Sequence, residues 1–292
     1  MKLEKLSLNK EKKQKILIGL LKALRTFMLI GLLFIILMPF YEIFLNAINY
    51  SGYEKNLYAY WIPTRISFYG IRNVFRQLLY ENAFINSISI SLITAIIQTF
   101  MCALFGYAFA KLKFKGSNVI FWIILISIFV PFETLEISRV LLFSNQPLFG
   151  IKLIGKPYTL FIMALLGMGY RAPLFIYIFR QYFKTISQEI EDASLVDGCG
   201  VFRSFFKVML PNAKGGIVTT ILLTFIWTYN DWYYPNLLRF SSNGIVLVST
   251  KLMSGRYSNA NASALLMMIP LLVLYLLTQK YLIDGIKKSV VL

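Results

Sequence analysis

Long apolar segments alternate with polar loops along the chain, and each is long enough to form a membrane-spanning helix, which needs about 20 residues. The segments lie at residues 26–45, 85–110, 118–138, 158–180, 216–236 and 262–283. The pattern therefore predicts an all-α, polytopic membrane protein with six transmembrane helices.

The first apolar segment follows a basic stretch, residues 1–25, which is also how a signal peptide begins. A signal peptide has a shorter apolar region that ends at a cleavage site of small residues. Here the segment continues into Pro39-Phe40-Tyr41-Glu42, which offers no such site. We therefore interpret this segment as an uncleaved first helix.

The composition argues against a disordered chain and against a soluble nucleic-acid-binding protein. Hydrophobic residues make up 58% of the 292 residues, and 30 Lys and Arg stand against 13 Asp and Glu, for a net charge of +17. A chain this apolar is not disordered, and its mean hydropathy of +0.65 is too high for a soluble nucleic-acid-binding protein. We expect no nucleic-acid partner.

The positive charges also predict the orientation in the membrane, because cytoplasmic loops carry an excess of Lys and Arg. With six spans, the side that holds both termini carries 19 of these residues and the opposite side ten. This split predicts a multi-pass membrane protein with both termini in the cytoplasm.

Residues suited to catalysis or to metal binding are scarce. The chain has no histidine, so it cannot form a Ser-His-Asp triad, a Cys-His dyad or a His-bearing zinc site. Residues 150–156 match the GxxxxGK phosphate loop, but Pro157 follows where a Ser or Thr should bind magnesium. We expect a protein that is not an enzyme, with no catalytic residue, no metal and no cofactor of its own.

Three charged residues fall within the predicted spans. Glu133 and Glu136 lie in the third span, whose uninterrupted apolar part is short, and Arg171 lies in the middle of the fourth. A charge at membrane depth is costly unless it faces a partner or a water-filled cavity. These residues either form internal ion pairs or snorkel, or they line a polar translocation path.

A long polar loop, residues 181–214, separates the fourth and fifth spans. Acidic residues begin the stretch 188–198 and Gly198 ends it, which predicts a short helix closed by a left-handed turn. A second amphipathic segment follows and is predicted to stop at Pro211. Spacing alone leaves open that the two helices simply rest on the membrane surface.

Three short motifs in this loop follow one another at fixed spacings: Asp192-Ala193-Ser194, Gly198 and Val208–Pro211. The loop thereby resembles the EAA loop of permease subunits in ATP-binding-cassette importers, whose pattern is Glu-Ala-Ala, three residues, Gly, nine residues, then Ile-x-Leu-Pro. The resemblance implies that the loop couples the chain to an ATPase subunit. The coupling residues it implies are Glu191, Asp192, Ala193, Ser194, Asp197, Gly198, Leu210 and Pro211.

Further segments resemble the MalG-like branch of carbohydrate-importer permeases. They are residues 106–116, 130–133, 179–183 and 229–235, while Ser138 and Arg171 depart from that branch. The likeness implies the type I importer permease fold. The implied parts are a basic cytoplasmic segment at 1–25, the first helix and an extracellular loop at 26–80, a permease core at 81–283 with the coupling loop at 181–214, and a cytoplasmic tail at 284–292.

The resemblance implies the permease subunit of an ATP-driven importer that translocates a sugar or oligosaccharide across a bacterial plasma membrane. The expected partners are a second homologous permease subunit, two ATP-binding subunits that hold ATP and Mg²⁺, an extracellular solute-binding protein and membrane lipid. The alternatives are an importer of a non-sugar solute and, less favoured, a stand-alone secondary transporter or a membrane scaffold.

Residues near the end of the fifth span are candidates for solute contact. Tyr229, Asn230 and Trp232 combine aromatic faces with an amide, which suits sugar recognition, although an interfacial aromatic belt has the same composition. Arg171 and Glu133 complete the expected solute path. Arg171 would suit an anionic sugar, because a guanidinium group pairs well with a carboxylate.

Overall fold

The structure, a computed structural model, describes residues 2–49, 61–62, 65–77, 80–112, 114–145, 153–240, 244–250 and 260–290. Helices dominate these residues, and the only extended pairing among them is an isolated bridge between Asn49 and Ile66. The all-α prediction is therefore confirmed. The chain divides into two compact units, residues 1–74 with 258–266, and residues 75–257 with 267–292.

The first unit is built on one long helix, α1, Lys2–Ile48, which continues through Pro39. Its side chains from residue 14 to residue 37 are almost all exposed, as expected for a helix solvated by lipid. Beyond α1, Trp61 contacts the helix again: its ring stacks on Phe34 at 6.2 Å between centroids, and its carbonyl accepts a hydrogen bond from the Tyr41 hydroxyl.

The remaining helices follow in chain order. They are α2 Tyr69–Gln77, α3 Tyr80–Lys111, α4 Ser117–Ile126 with a 3-10 turn at Ser127–Phe129, α5 Phe132–Asn145, α6 Tyr158–Leu165, α7 Ala172–Thr185, α8 Gln188–Val196, α9 Val201–Ser204, a π turn at Phe205–Met209, α10 Leu210–Asn212, α11 Lys214–Asn230, α12 Tyr233–Leu237 and α13 Ala260–Val290.

The second unit is organised around α3, which packs against α6, α7 and α11. The approach of α3 to α7 is very close at Gly106. A Cβ atom at this position would lie 2.5 Å from the Cβ of Phe179 and 2.9 Å from the backbone nitrogen of Arg180. A glycine is needed here because the two helix backbones leave no room for a side chain.

Each of the six predicted spans contains helix, but they are not six uninterrupted helices. Among the described residues, three helices are long and apolar enough to cross a membrane: Gln14–Ile48, Glu81–Lys111 and Ala260–Lys280. A fourth candidate arises if the bent pair Val201–Asn212 and Lys214–Asn230 is one span. Helices thus occur in all six predicted spans, but the count of six membrane-spanning helices is not confirmed.

The third and fourth predicted spans are interrupted by residues that do not continue a helix. The third breaks between α4 and α5, where Val130 is extended before Pro131, as proline demands of the residue before it. The fourth breaks between α6 and α7, where Gly167 has a φ of 71° and Arg171 a φ of 47°. Each predicted span is therefore two shorter helices.

The loop between α7 and α11 differs from its prediction at one point. We expected the second amphipathic segment to stop at Pro211, but α10 includes Pro211 and runs to Asn212. Proline is tolerated there because it occupies the first turn of a helix, where its missing N–H is not needed. The chain turns instead at Ala213, and the segments on either side form an angle of 81°.

Candidate coupling site and solute path

Helix α8 ends at Val196 and is closed, as its sequence predicts, by a turn at Gly198. The amide of Cys199 donates to the carbonyl of Ser194 at 3.0 Å, and the amide of Asp197 donates to the carbonyl of Ala193 at 3.0 Å. Gly198 has a φ of 80°, the left-handed conformation that this type of helix end requires. The hydrogen bonds leave few free carbonyls at the end of α8 and fix the direction in which the chain departs.

Glu191 joins α8 to α3. Its side chain is only 4% exposed, and its Oε1 accepts a hydrogen bond of 2.5 Å from the hydroxyl of Tyr107. Its Oε2 accepts a hydrogen bond of 3.2 Å from Gln188 and lies 3.9 Å from the Nζ of Lys111. Sequence reasoning grouped Glu191 with its neighbours in the loop, whereas the structure turns it inward.

Lys111, the last residue of α3, holds the connection between α7 and α8. Its Nζ donates to the carbonyl of Ile186 at 2.8 Å and to the Oε1 of Gln188 at 3.4 Å. The end of α3 is thus bonded to the segment just before α8 as well as to α8 itself.

Ser194 joins α8 to α9. Its hydroxyl donates to the carbonyl of Glu191 at 2.7 Å, and its Oγ lies 2.7 Å from the Oγ of Ser204 in a buried contact. The third residue of the Glu-Ala-Ala-like triplet therefore holds the two halves of the loop together.

The π turn places an aromatic side chain, Phe205, against the neighbouring helices. Phe205 is fully buried and contacts three rings of neighbouring helices, with centroid distances of 5.2 Å to Tyr107, 6.3 Å to Phe183 and 6.3 Å to Phe100. These rings belong to α3 and α7, so the loop is seated on both helices. Isolated π turns are frequent at functional sites.

The opposite side of the loop is exposed. The residues that share it are Asp192, Ala193, Val196, Asp197 and Phe202, which we call the exposed loop face. Val196 is 87% exposed and Phe202 70% exposed. Of the other coupling residues, Gly198 and Pro211 are exposed and Leu210 is half-buried against the core. The pairing of apolar Val196 and Phe202 was not singled out from the sequence, because hydrophobic spacing did not separate Phe202 from Phe205.

Arg171 occupies the turn before α7. Its side chain is exposed, and its guanidinium carbon lies 5.1 Å from the ring centroid of Trp227 on α11. Among the side chains that the structure describes, no carboxylate pairs with Arg171. A cation over an aromatic ring keeps its charge available to a second, anionic group.

The other expected solute contacts are divided between surface and core. Asn230 and Trp232 are exposed at the end of α11, whereas Tyr229 is buried and stacks on Phe225 at 5.8 Å. Glu133 lies in the first turn of α5, but its side chain and that of Glu136 fall outside the described side chains. The structure does not bring Tyr229 to the surface that Asn230 and Trp232 share.

Asp231, between these residues, is a structural acceptor that sequence reasoning did not assign. Its Oδ1 accepts the amide of Tyr233 at 2.9 Å and that of Tyr234 at 3.3 Å, and its Oδ2 accepts the hydroxyl of Tyr170. An Asp that precedes a helix by this spacing is the expected acceptor for the free amides of its first turn. Asp231 therefore fixes the start of α12 next to the exposed Trp232.

The described residues thus form apolar helices long enough to cross a membrane and a helix pair that packs on α3 and α7. The chain belongs to the family of binding-protein-dependent transport system inner membrane components, which it matches over residues 99–288. It is therefore a multi-pass permease of a transport system that also depends on a solute-binding protein and an ATPase, and it is not itself an enzyme.

Named relatives and a solved structure agree with this assignment. The chain is 31% identical over 238 residues to the trehalose transport system permease protein SugB of Mycobacterium tuberculosis, covering 79% of this chain and 84% of the relative. It is 28% identical to the arabinooligosaccharides transport system permease protein AraQ of Halalkalibacterium halodurans, covering 71% and 73%.

The structural similarity concerns the fold alone. A chain from the crystal structure of a bacterial ABC transporter involved in the import of the acidic polysaccharide alginate superimposes with a TM-score of 0.72. The match covers 90% of this chain and 96% of that one, at 21% sequence identity. The type I importer permease fold is thereby confirmed.

Proposed function

We propose that this chain is the permease subunit of an ATP-driven importer that carries a sugar or oligosaccharide, and that its exposed loop face docks on an ATPase subunit. Both relatives named above are described as sugar transport permeases. The observation that carries the docking proposal is the exposure of Val196 and Phe202 on a loop whose other side is buried.

The chemistry of the exposed loop face suits a protein partner. It combines two exposed apolar side chains, Val196 and Phe202, with the exposed carboxylates of Asp192 and Asp197. Exposed apolar groups rimmed by polar ones are typical of protein interaction sites. In this proposal Val196 and Phe202 enter a cleft of the ATPase, and the two carboxylates bond to its rim.

The proposed assembly contains a second, homologous permease subunit, two ATP-binding subunits that hold ATP and Mg²⁺, and an extracellular binding protein. Lys and Arg are in excess on the side that holds the coupling loop and both termini. This excess supports a cytoplasmic position for the loop and the termini. The ATPase subunits are then on the side where ATP is present.

The proposed solute path runs past Arg171, Asn230 and Trp232, which are all exposed. Aromatic faces and amides suit sugar hydroxyls, and the exposed guanidinium group of Arg171 suits a carboxylate-bearing sugar. Tyr229 and Glu133 remain proposed members of this path, Tyr229 from its place beside Asn230 in the chain and Glu133 from its charge.

Affinity purification of the full membrane complex tests the docking proposal. Phe202→Ser should reduce the ATPase subunit recovered with the permease by roughly tenfold, which corresponds to about 1.4 kcal/mol of lost binding. The matched control is Phe206→Ser, since Phe206 is also an exposed phenylalanine of the loop but stacks on Phe100 at 5.7 Å.

Two results would contradict the proposal. Equal recovery in Phe202→Ser and wild type would mean that the exposed loop face does not bind the ATPase. Equal losses in both variants would favour a helix pair that rests on the membrane, because both side chains would then act through the lipid surface.

A further inference from the structure

Tyr107, on α3, contacts both halves of the coupling loop. Its hydroxyl donates to Glu191 on α8 at 2.5 Å, and its ring packs on Phe205 of the π turn at 5.2 Å. The same ring meets Phe183 of α7 edge-on at 5.9 Å. Tyr107 thus lies where α3, α7 and the loop converge.

The bond between Tyr107 and Glu191 is well shielded from water. Tyr107 is 2% exposed and Glu191 is 4% exposed. A buried carboxylate must have hydrogen-bond donors, because removal of an ion from water is costly without them. A shielded bond of this kind also keeps its strength when solvent or salt changes.

The other partners of Glu191 do not replace Tyr107. Lys111 lies 3.9 Å from Oε2, too far for a hydrogen bond. Gln188 donates to Oε2 at 3.2 Å, but it belongs to α8 itself and so joins nothing across the interface. Tyr107 therefore provides the direct hydrogen bond from α3 to the buried carboxylate.

We infer that the Tyr107–Glu191 hydrogen bond transmits the movement of α8 to α3, so that α3 moves together with α8 when the ATPase subunits close. Glu191 is thus a positioning residue that faces the membrane helices, while its neighbour Asp192 faces the ATPase. This inference rests on the proposed coupling function and adds to it the route by which movement of the loop reaches α3. Movement transmitted between packed elements requires that their contact survive in both states.

Tyr107→Phe isolates this bond. It removes the hydroxyl and keeps the ring that packs on Phe205 and Phe183. The matched control is Tyr182→Phe, since the ring of Tyr182 packs near Gly216 on α11 and its hydroxyl has no hydrogen bond with a described residue. Glu191→Gln is the conservative variant, because its amide oxygen still accepts the Tyr107 hydroxyl.

The measurement is the distance between spin labels on α8 and α3, determined by pulsed electron paramagnetic resonance on the whole transporter in lipid nanodiscs. Labels are attached at Glu189→Cys and Leu92→Cys, which are both exposed. Cys199 is replaced by serine, and Cys102 is fully buried. The two states compared are nucleotide-free and trapped with MgATP, orthovanadate and the system's binding protein.

In wild type we expect one narrow distance distribution in both states. In Tyr107→Phe the nucleotide-free distribution should stay narrow, and the trapped distribution should become about twofold wider as α8 moves without α3. Tyr182→Phe and Glu191→Gln should behave as wild type. A merely structural role for Tyr107 would broaden both states equally, so this pattern is specific to transmission.

An unchanged trapped distribution in Tyr107→Phe overturns the inference, and so does equal broadening in Tyr182→Phe. If Tyr107→Phe does not assemble, Glu191→Leu breaks the same bond from the other side and must give the same result. Failure of the wild-type chain to recover any ATPase subunit would instead refute the proposed function. The two failures are therefore distinguishable.

Discussion

The hydroxyl oxygens of Ser194 and Ser204 lie 2.7 Å apart in the interior of the coupling loop, although ten residues separate them in the chain. Ser194 stands where the importer pattern has its second alanine, and Ser204 is fully buried at the end of α9. Ser194, which departs from the alanine of the importer pattern, thus has a hydrogen-bond partner in the other half of the loop.

This pair predicts a non-additive effect on stability. Ser204→Ala should cost about 1 kcal/mol, because it leaves the Ser194 hydroxyl with the Glu191 carbonyl alone. The double change to alanine should cost less than the two single changes together, since no buried hydroxyl then lacks its partner. Thermal unfolding of the four proteins in detergent gives the coupling energy, and strict additivity would show that the two hydroxyls do not interact.

Gly198 should be required for its backbone conformation alone. A Cβ atom there meets nothing within 4 Å, but the φ of 80° is unfavourable for any residue with a side chain. Gly198→Ala should therefore weaken the end of α8 by about 1 kcal/mol and lower ATPase recovery in affinity purification.

Gly200→Ala is the control for this prediction. Gly200 is equally open to a Cβ atom but has an ordinary φ of −67°. Its replacement should leave ATPase recovery unchanged. Equal losses in the two variants would mean that the loop needs flexibility at both glycines rather than a left-handed residue at one.

Gly106 should be the glycine whose replacement harms the fold most. The Cβ atom of Gly106→Ala would approach the Cβ of Phe179 to 2.5 Å, so α3 and α7 must separate at a cost of about 1–3 kcal/mol. Gly31→Ala on α1 is the control, because nothing lies within 4 Å of a Cβ atom there. Thermal unfolding in detergent should show a lower transition temperature for Gly106→Ala alone.

Arg171 should select for the charge of the solute. Arg171→Asn removes the cation and keeps a residue that tolerates the left-handed backbone. Uptake of a uronate oligosaccharide into proteoliposomes should fall roughly tenfold relative to that of a neutral oligosaccharide, the effect of about 1.4 kcal/mol. If the ratio of uronate uptake to neutral uptake is the same before and after the change, a role of Arg171 in charge recognition is refuted.

Arg239→Asn provides the matched control for Arg171. Arg239 is the other arginine with a positive φ, 56°, among the described residues, and it is also exposed. The two changes remove the same charge from the same type of backbone. Arg239→Asn should leave the ratio of uronate uptake to neutral uptake unaltered.

The sequence was most informative where apolar residues continue without interruption. The spans at 26–45, 85–110 and 262–283 each lie within one helix, because a long apolar segment in lipid can satisfy its backbone only as a helix. The acidic start and the glycine of residues 188–198 likewise predicted the left-handed turn at Gly198 that closes α8, since this turn depends on local backbone geometry.

The broken spans were harder to predict. Pro131 interrupts the third predicted span, and Gly167 and Pro173 flank the break in the fourth. These residues were visible, but hydrophobicity summed over a span hides them, and proline or glycine is often tolerated inside a membrane helix. Hydropathy alone therefore does not locate the breaks.

The orientation of the loop acids could not be obtained from spacing. Glu191 and Asp192 are adjacent, both acidic and about 100° apart around the helix axis, since a helix has 3.6 residues per turn. One is buried and the other exposed because Tyr107, 84 residues earlier in the chain, supplies a donor on one side only. No local pattern contains that information.

The contact at Gly106 also restricts how relatives of this protein can diverge. The atoms that would obstruct a side chain there are a Cβ and a backbone nitrogen, which nearly every amino acid possesses. A substitution at position 179 therefore cannot compensate for one at position 106, unlike most core positions, where a larger residue can be offset by a smaller neighbour. Paired substitutions at positions 106 and 179 therefore cannot accumulate. Relatives that keep this spacing between α3 and α7 should keep the glycine.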